Sequence, residues 1–145
     1  LAITPLVRRL AHLHPDTFQL WYADDDAALG RLLRLRGYWD TIAALGPRYG
    51  YNPNAQKTVL VVKNHLLEQA NTVFDGTGVI ITGEGSKYLG APIGTPEYCS
   101  QHLAAEVGRF SRQVRRCGDF AETQPHAAYT AAVRGLVPKW RYLMR

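Results

Sequence analysis

Residues 22–25 read Tyr-Ala-Asp-Asp and carry the strongest chemical signal in the chain. Two adjacent carboxylates follow a short apolar run that begins at Phe18, so a turn at this point can present both charges together. Carboxylate oxygens are the ligands that Mg²⁺ prefers, and Mg²⁺ in turn binds nucleotide phosphates. Composition alone gives about 0.02 expected matches to Tyr-x-Asp-Asp in 145 residues. The pattern therefore predicts a metal-binding turn with Asp24 and Asp25 as its ligands.

Other ionisable side chains have simpler explanations. Asp26 extends the acidic pair, and we expect it to be solvated or to stand ahead of the return strand. Cys99 and His102 have only half the spacing of a zinc site, so we expect two buried helix residues. His12 and His14 would face different sides of a helix, which favours a frayed helix end. With only two cysteines in the chain, we expect a reducing, intracellular setting.

The net charge of +5 is concentrated near the end of the chain. Residues 1–96 carry 9 basic and 8 acidic side chains, whereas the remaining residues carry 8 and 4. Arg109, Arg112, Arg115 and Arg116 recur at intervals that bring them to one face of a helix. Such a face is either ordinarily solvated or a surface that follows nucleic-acid phosphates, since arginine binds phosphate through paired hydrogen bonds and releases counterions.

Helix and strand patterns alternate along most of the chain and give way to helix alone near its end. Apolar residues recur at helical spacing from Leu32 to Leu45, which is typical of a helix that lies on a sheet. Residues 58–62 read Thr-Val-Leu-Val-Val and predict a strand buried on both faces. In chain order we predict a helix over 1–13, a strand over 17–22, a turn over 23–25, a return strand over 27–29, a helix over 32–45, a strand over 58–62, a helix over 64–74, strands over 79–82 and 87–89, and helices over 98–117 and 121–136.

Several details of this pattern rest on turn and cap residues. Residues 83–86, Gly-Glu-Gly-Ser, predict a hairpin loop between the strands on either side. Asn64 is expected to cap the helix that follows it, and Pro138 to lie beyond the end of the last helix. Strands with helices on one face, followed by a helical region, define an α+β fold class. No apolar run approaches the roughly 20 residues of a membrane span, so no membrane partner is expected.

The order of these motifs resembles the second half of a reverse transcriptase, an RNA-directed DNA polymerase. The resemblance is carried by Tyr-Ala-Asp-Asp after an apolar strand, by Gly50, Asn54, Lys57 and Thr58 ahead of the next strand, and by Tyr-Leu-Gly over residues 88–90. In that family these positions belong to the catalytic hairpin, the lysine-bearing loop and the primer-grip hairpin of the palm, in that order.

The resemblance implies a domain organisation. Residues 1–83 correspond to the C-terminal part of the palm, with antiparallel strands and helices on one face, and residues 84–96 to the primer-grip hairpin. Residues 97–145 would take the place of the thumb, on position and basic helical character alone. Because the chain opens at Leu1 within a helix, we also expect upstream polymerase segments in the same polypeptide.

The resemblance also implies catalytic roles. Asp24 and Asp25 would hold Mg²⁺ in a two-metal site, with Asp24 as the better direct ligand. Lys57 would approach the nucleotide phosphates and protonate the departing pyrophosphate, although an ordinary exposed lysine would have the same sequence.

The remaining implied contacts are to nucleic acid. The implied partners are a DNA primer, an RNA or DNA template and deoxynucleoside triphosphates. For the Tyr-Leu-Gly motif, a plain structural hairpin is the alternative. The residues implied in primer or template binding are Tyr22, Tyr88, Leu89, Gly90, Arg109, Arg112 and Arg116.

The metal site of the family takes a further aspartate from an earlier strand, and no acidic residue precedes Asp16 here. We therefore expect the 145 residues alone not to extend a primer. Two functions stay open: the catalytic portion of a retroelement RNA-directed DNA polymerase, or a non-catalytic nucleic-acid-binding or scaffold remnant of one. A third explanation, an unrelated α+β domain with a chance motif, requires the later matches to be accidental too.

Overall fold

The computed structural model describes residues 3–144 of an α+β protein, and the chain forms two compact units that divide between Ser86 and Lys87. The helices are α1 Thr4–Leu13, α2 Leu32–Leu45, α3 Leu67–Val73, α4 Pro96–Ala121, α5 Pro125–Ala131 and α6 Val137–Leu143. The strands are β1 Phe18–Tyr22, β2 Asp25–Leu29, β3 Val59–Val61, β4 Ile80–Thr82, β5 Gly85–Tyr88 and β6 Ala91–Gly94. Short 3₁₀ turns cover Gly46–Tyr49, Ala55–Lys57 and Asn64–Leu66, and a π-helical segment covers Ala132–Leu136.

The core of the first unit lies between α1 and α2. Leu6 and Leu10, one turn apart on α1, are fully buried in a cluster with Tyr38 and Ile42, one turn apart on α2. Leu6, Leu10 and Leu13 recur at helical spacing in the sequence, and the helices predicted over 1–13 and 32–45 are both present. Leu13 is nevertheless 43% exposed, because α1 ends there. The first two residues of the predicted helix lie outside the described residues.

The β1–β2 hairpin lies with one face on this helix pair. Trp21 of β1 and Ala28 of β2 pack against the core cluster. Because side chains alternate across a strand, Phe18, Leu20 and Tyr22 face away from the helices and are exposed. An antiparallel sheet with helices on one face is therefore present, with two strands among the described residues.

The return strand begins earlier than the sequence predicts. Tyr22 opposite Asp25 is the last pair before the turn, so only Ala23 and Asp24 connect the strands. The turn predicted over 23–25 is therefore one residue too long, and the strand predicted over 27–29 begins two residues too late.

The second sheet is parallel rather than antiparallel, with Val59 of β3 opposite Ile80 of β4. A parallel pair needs a crossover connection, and α3 lies in that connection. β3 is half-buried instead of buried on both faces, because within residues 3–144 this sheet consists of two strands. Asn64 does not cap α3 through its side chain, since a 3₁₀ turn that starts at Asn64 separates it from the helix.

One arginine ties α2 to the end of α3. Arg36 Nη1 donates a hydrogen bond of 2.6 Å to the Val73 carbonyl, and its Nε donates to both carboxylate oxygens of Asp40, at 2.9 and 3.0 Å. Carbonyls at the end of a helix have no partner within the helix. The guanidinium satisfies one of them and complements the helix dipole.

Residues 83–86 do not form the predicted hairpin loop. β4 ends at Thr82 and pairs with β3, whereas β5 starts at Gly85 and pairs with β6. The hairpin turn is instead Leu89 and Gly90, with φ of 46° and 87°. Two consecutive positive φ values characterise the tight turn whose twist matches that of the flanking strands.

The second unit is built on α4 and the helical stretch from α5 to α6. Thr95 caps α4 by accepting a hydrogen bond of 3.2 Å from the Tyr98 amide, so this helix is longer at both ends than the predicted 98–117. Phe110 of α4 packs on Trp140 of α6 with ring centroids 5.0 Å apart. Within residues 3–144, no helix has both the length and the apolar character that crossing a bilayer requires.

The final helical stretch continues through Pro138, although the sequence predicts its end at Leu136. Proline has no N–H and its ring crowds the carbonyl four residues earlier. The π-helical segment directly precedes α6, and its wider turn changes the hydrogen-bond register before the proline. Pro138 then falls in the first turn of α6, where its missing N–H costs little.

The Leu10→Ala variant tests the core of the first unit. Because the Leu10 side chain is fully buried, its truncation is expected to lower the free energy of unfolding by about 2–5 kcal/mol. Leu33 on α2 is 72% exposed, so Leu33→Ala is the matched control and should change it by less than about 0.5 kcal/mol. Urea denaturation measures both, and equal losses would contradict this core.

Candidate functional site

The predicted metal-binding turn lies at the tip of the β1–β2 hairpin. Asp24 is in the two-residue connection, and Asp25 opposes Tyr22 at the start of β2. All three side chains are exposed. The structure therefore brings Tyr22, Asp24 and Asp25 together at one end of a sheet.

The turn has an uncommon backbone conformation at Ala23, whose φ is 55°. Residues with a Cβ seldom adopt this left-handed region, apart from Asn and Asp. The local sequence does not favour the conformation, so contacts elsewhere must hold it.

Asp26 is neither solvated nor ahead of the return strand, contrary to the expectation from sequence. It is the second residue of β2, and its carboxylate accepts two hydrogen bonds of 3.0 Å. The Tyr38 hydroxyl donates to Oδ2 and the Tyr51 hydroxyl donates to Oδ1. Each carboxylate oxygen thus has a donor of its own.

Burial raises the pKa of Asp26 above its ordinary value of 3.8. The hydrogen bonds from Tyr51 and Tyr38 oppose this rise, while the charge of Asp25 adds to it. Burial and the Asp26 charge also raise the pKa of both tyrosines, so their hydroxyls keep their protons and act as donors. The charges of Asp25 and Asp24 raise the pKa of Tyr51 as well, which couples this hydroxyl to the turn.

Each tyrosine is held by an aromatic neighbour. Tyr51 meets Trp21 edge to face with centroids 5.4 Å apart, and Tyr38 meets His14 in the same way at 5.7 Å. The Tyr51 amide donates a hydrogen bond of 3.0 Å to the Gly46 carbonyl. A Cβ on Gly46 would lie 2.5 Å from the Tyr51 carbonyl oxygen, so the glycine that ends α2 also lets this backbone approach.

His14, which contacts Tyr38, lies at the end of α1 and also bonds to α2. Its Nε2 lies 2.8 Å from Thr41 Oγ1, and that hydroxyl donates to the Gly37 carbonyl at 2.8 Å. Because the hydroxyl proton is already used, Nε2 carries the proton in this contact. Burial, reinforced by the Arg34 charge, lowers the pKa of His14 below 6.5. His14 is therefore a fixed, mainly neutral contact at pH 7, not part of a frayed helix end.

Lys57 lies in a different part of the first unit. It is the last residue of the 3₁₀ turn ahead of β3 and is exposed. The Asn54 side chain accepts a hydrogen bond of 3.0 Å from the Gln56 amide, and Thr58 Oγ1 donates at 2.9 Å to the Asn54 carbonyl. Two residues of the predicted motif thus shape the turn that carries the lysine, and this turn leads into the β3–β4 sheet.

Tyr88, Leu89 and Gly90 lie at the β5–β6 hairpin turn. The Tyr142 hydroxyl of α6 donates a hydrogen bond to the Leu89 carbonyl. The Tyr142 ring also occupies the space that a Cβ on Gly90 would need. Glycine is therefore favoured at position 90 by its backbone angle, and a Cβ there would have to displace the Tyr142 side chain.

The arginines predicted to bind nucleic acid lie on α4 and are exposed. The segment is helical, so Arg109, Arg112 and Arg116 share a face. Arg109 also pairs with Glu106, a carboxylate that is itself buried and has His102 Nε2 at 3.8 Å. Arg109 therefore compensates a buried charge within the fold as well as adding to the basic surface.

Within residues 3–144, no three His, Cys, Asp or Glu side chains form a group that could hold a metal ion. Cys99 and His102 are half-buried on α4, and Cys99 Sγ lies 3.7 Å from the Pro92 carbonyl. Asp24 and Asp25 offer exposed carboxylate oxygens, which is the donor type that Mg²⁺ accepts. Their chemistry fits part of a magnesium site.

Comparison of the chain with family models, with curated proteins and with solved structures gave no match. The resemblance to reverse transcriptases therefore stays a prediction from the motifs.

Three features of the site were not predicted from the sequence: Tyr38, Tyr51 and the inward orientation of Asp26. Tyr38 lies four residues before Ile42, a spacing that places both on one helix face and indicates burial. Alternation along a strand that starts at Asp25 would have turned Asp26 towards the helices. No local pattern points to Tyr51, which reaches the carboxylate across 25 residues of chain.

Replacement of two glycines by alanine tests the β5–β6 turn. Gly90→Ala places a Cβ at positive φ and against Tyr142, and is expected to lower the free energy of unfolding by about 1–3 kcal/mol. Gly118 lies within α4 with open space around its Cα, so Gly118→Ala should raise it by about 0.5–1 kcal/mol. Thermal denaturation followed by circular dichroism measures both variants, and a neutral Gly90→Ala would contradict this turn.

The Asp26→Asn variant tests the burial of the Asp26 carboxylate. Because the native pKa is raised, the native state holds this proton more tightly than the unfolded chain does. The contribution of Asp26 to stability is then full below pH 3.8 and is lost as the pH rises through the native pKa. Denaturant unfolding at several pH values should show that wild-type stability, relative to Asp26→Asn, falls from acid to neutral pH. A flat or rising difference would show that the carboxylate is solvated.

Proposed function

We propose that this chain is the catalytic-hairpin and thumb portion of a retroelement RNA-directed DNA polymerase. In a polypeptide that also carries the upstream polymerase segments, it would extend a DNA primer on an RNA or DNA template by Mg²⁺-dependent nucleotidyl transfer. One observation supports this above the others: Asp24 and Asp25 stand exposed at the tip of a tight hairpin. The order of the later motifs supports the choice of family.

The hairpin residues would hold the metal and the end of the primer. Asp24 and Asp25 are the ligands that the chain contributes to Mg²⁺. When bound, Mg²⁺ would activate the primer hydroxyl and neutralise charge on the phosphates. Tyr22 stands beside Asp25 and offers an exposed ring on which a base or sugar can lie.

Lys57 would supply the proton that the departing pyrophosphate needs. It is exposed at the end of a turn that Asn54 and Thr58 hold. An ammonium group on a flexible stem suits this general-acid role.

The second unit would bind the primer and template strands. The Leu89–Gly90 turn, held by Tyr142, offers backbone and the exposed Leu89 side chain to the primer. Arg112 and Arg116 would bind backbone phosphates, and Arg109 would add its remaining donors to theirs.

A non-catalytic nucleic-acid-binding or scaffold remnant is the second candidate. The observation that favours it is the basic face of α4, which needs neither a metal nor the aspartate pair to bind phosphate.

The double variant Asp24→Asn, Asp25→Asn separates the two candidates. In a polypeptide that includes the upstream polymerase segments, primer extension should fall by at least about 100-fold. Mutation of residues that merely support the ligands of a metal already costs up to about 100-fold, and here the ligands themselves are removed. Binding of a primer–template duplex, measured by fluorescence anisotropy, should change little because the arginines are untouched.

Asp16→Asn is the matched control, since Asp16 is exposed and its ion pair with Arg34 is at the surface. It should retain full extension. Unchanged extension by the double variant would refute the metal assignment, and a wild-type polypeptide that binds duplex without extending it would favour the remnant.

A further inference from the structure

Residues 24–28 read Asp-Asp-Asp-Ala-Ala. Because neighbouring residues in this run are alike, the run itself hardly distinguishes one pairing register of β1 with β2 from the next. A shift of one residue turns every side chain of a strand to the opposite face. In β2 such a shift would replace Asp26 and Ala28 on the inner face with Ala27 and Leu29. Apolar packing does not oppose this shift, because Ala27 would replace Ala28 and Leu29, which is 65% exposed, would turn inwards.

Local turn chemistry favours the other register. The observed two-residue connection places Ala23 at positive φ, where glycine is the usual residue. A three-residue connection over Ala23–Asp25 is a common hairpin alternative. It would pair Tyr22 with Asp26, and Asp26 would then face outwards.

The contacts of Asp26 exist only in the observed register. Tyr38 approaches its carboxylate from α2, and Tyr51 approaches it from the segment beyond Gly46. His14 contacts the Tyr38 ring, and the Tyr51 amide donates a hydrogen bond to the Gly46 carbonyl. The Tyr51 ring also packs on Trp21 of β1, whose inward face does not change when β2 shifts. The two tyrosine hydroxyls are therefore a pair of donors that a carboxylate can reach only from an inward-facing position opposite Trp21.

We propose that Tyr38 and Tyr51 are positioning residues that select Asp26 from the three consecutive aspartates and thereby hold the two-residue register of the β1–β2 hairpin. This selection leaves Asp24 in the turn and Asp25 beside Tyr22. Without it, Asp26 would take the place of Asp25 beside Tyr22. The consequence for metal binding rests on the proposed function, whereas the choice of register does not.

The Tyr38→Phe, Tyr51→Phe double variant of the 145-residue chain tests the selection. Phenylalanine keeps the ring contacts and removes only the donors. Nuclear Overhauser contacts across the hairpin report the register: the wild type should pair Tyr22 with Asp25. The double variant should show Tyr22 paired with Asp26, alone or as a second set of signals. The proposal would be overturned if the double variant showed the pairing of Tyr22 with Asp25 and no pairing of Tyr22 with Asp26.

Two further variants control this experiment. Tyr129→Phe removes a hydroxyl from a side chain that is 71% exposed, and it should keep the native pairs. Ala23→Gly, added to the double variant, removes the backbone cost of the two-residue turn and should restore the pairing of Tyr22 with Asp25. If the double variant fails to fold, recovery of folding and of native pairs on addition of Ala23→Gly supports the proposal, and failure to recover them overturns it.

A kinetic measurement connects the register to the metal. In the longer polypeptide, the Mg²⁺ concentration for half-maximal primer extension should rise on the order of tenfold in the double variant, and Ala23→Gly should reverse the rise. Lower stability alone would reduce the amount of active protein without moving this midpoint. If the register shifts but extension does not depend on Asp24 and Asp25, the proposed function is refuted and this inference stands. If extension depends on Asp24 and Asp25 but the register and the Mg²⁺ midpoint do not change, this inference is refuted and the proposed function stands.

Discussion

The carboxylate of Asp26, held between two tyrosine hydroxyls, is the interaction on which the arrangement of the first unit depends. A carboxylate removed from water is costly unless donors meet it, and both donors come from outside the hairpin. Tyr38 belongs to α2, and Tyr51 to the segment after the Gly46 turn. A two-stranded hairpin is at best marginally stable by itself. Its defined form here follows from the packing of Trp21 and Ala28 on the core, and from hydrogen bonds that tie one carboxyl group to two distant parts of the chain.

Alternation along the hairpin separates packing from chemistry. Trp21 and Ala28 face the helices and join the core, whereas Leu20 and Tyr22 face outwards and stay exposed. The outward face ends at the acidic turn. If Mg²⁺ bridged the carboxylates to phosphate, this apolar surface would suit the flat body of a nucleotide. The proposed polymerase role uses both properties, and the scaffold alternative uses neither.

The sequence predicts helices well and pairing poorly, for a physical reason. Helical spacing is local, so the stripe from Leu32 to Leu45 identified α2. Strand pairing depends on distant partners, so nothing near Val59 indicated that it lies parallel to Ile80. At the candidate site, the residue types predicted a turn over 23–25. They did not predict the pairing register of the hairpin, in which Ala23 and Asp24 alone connect the strands. The tyrosines that decide it lie 12 and 25 residues from Asp26, beyond any local pattern.

The π-helical segment over residues 132–136 sets the rotation of everything that follows it. A π turn contains an additional residue, and one residue of an α-helix corresponds to a rotation of about 100°. An uninterrupted helical wheel drawn from α5 would therefore assign Trp140 and Tyr142 to the wrong side. The observed phase brings Trp140 to Phe110 and Tyr142 to the Leu89 carbonyl. Homologous chains that lack one residue in this segment would need a different anchor for the β5–β6 turn, so segment length and the identity of residue 142 should vary together.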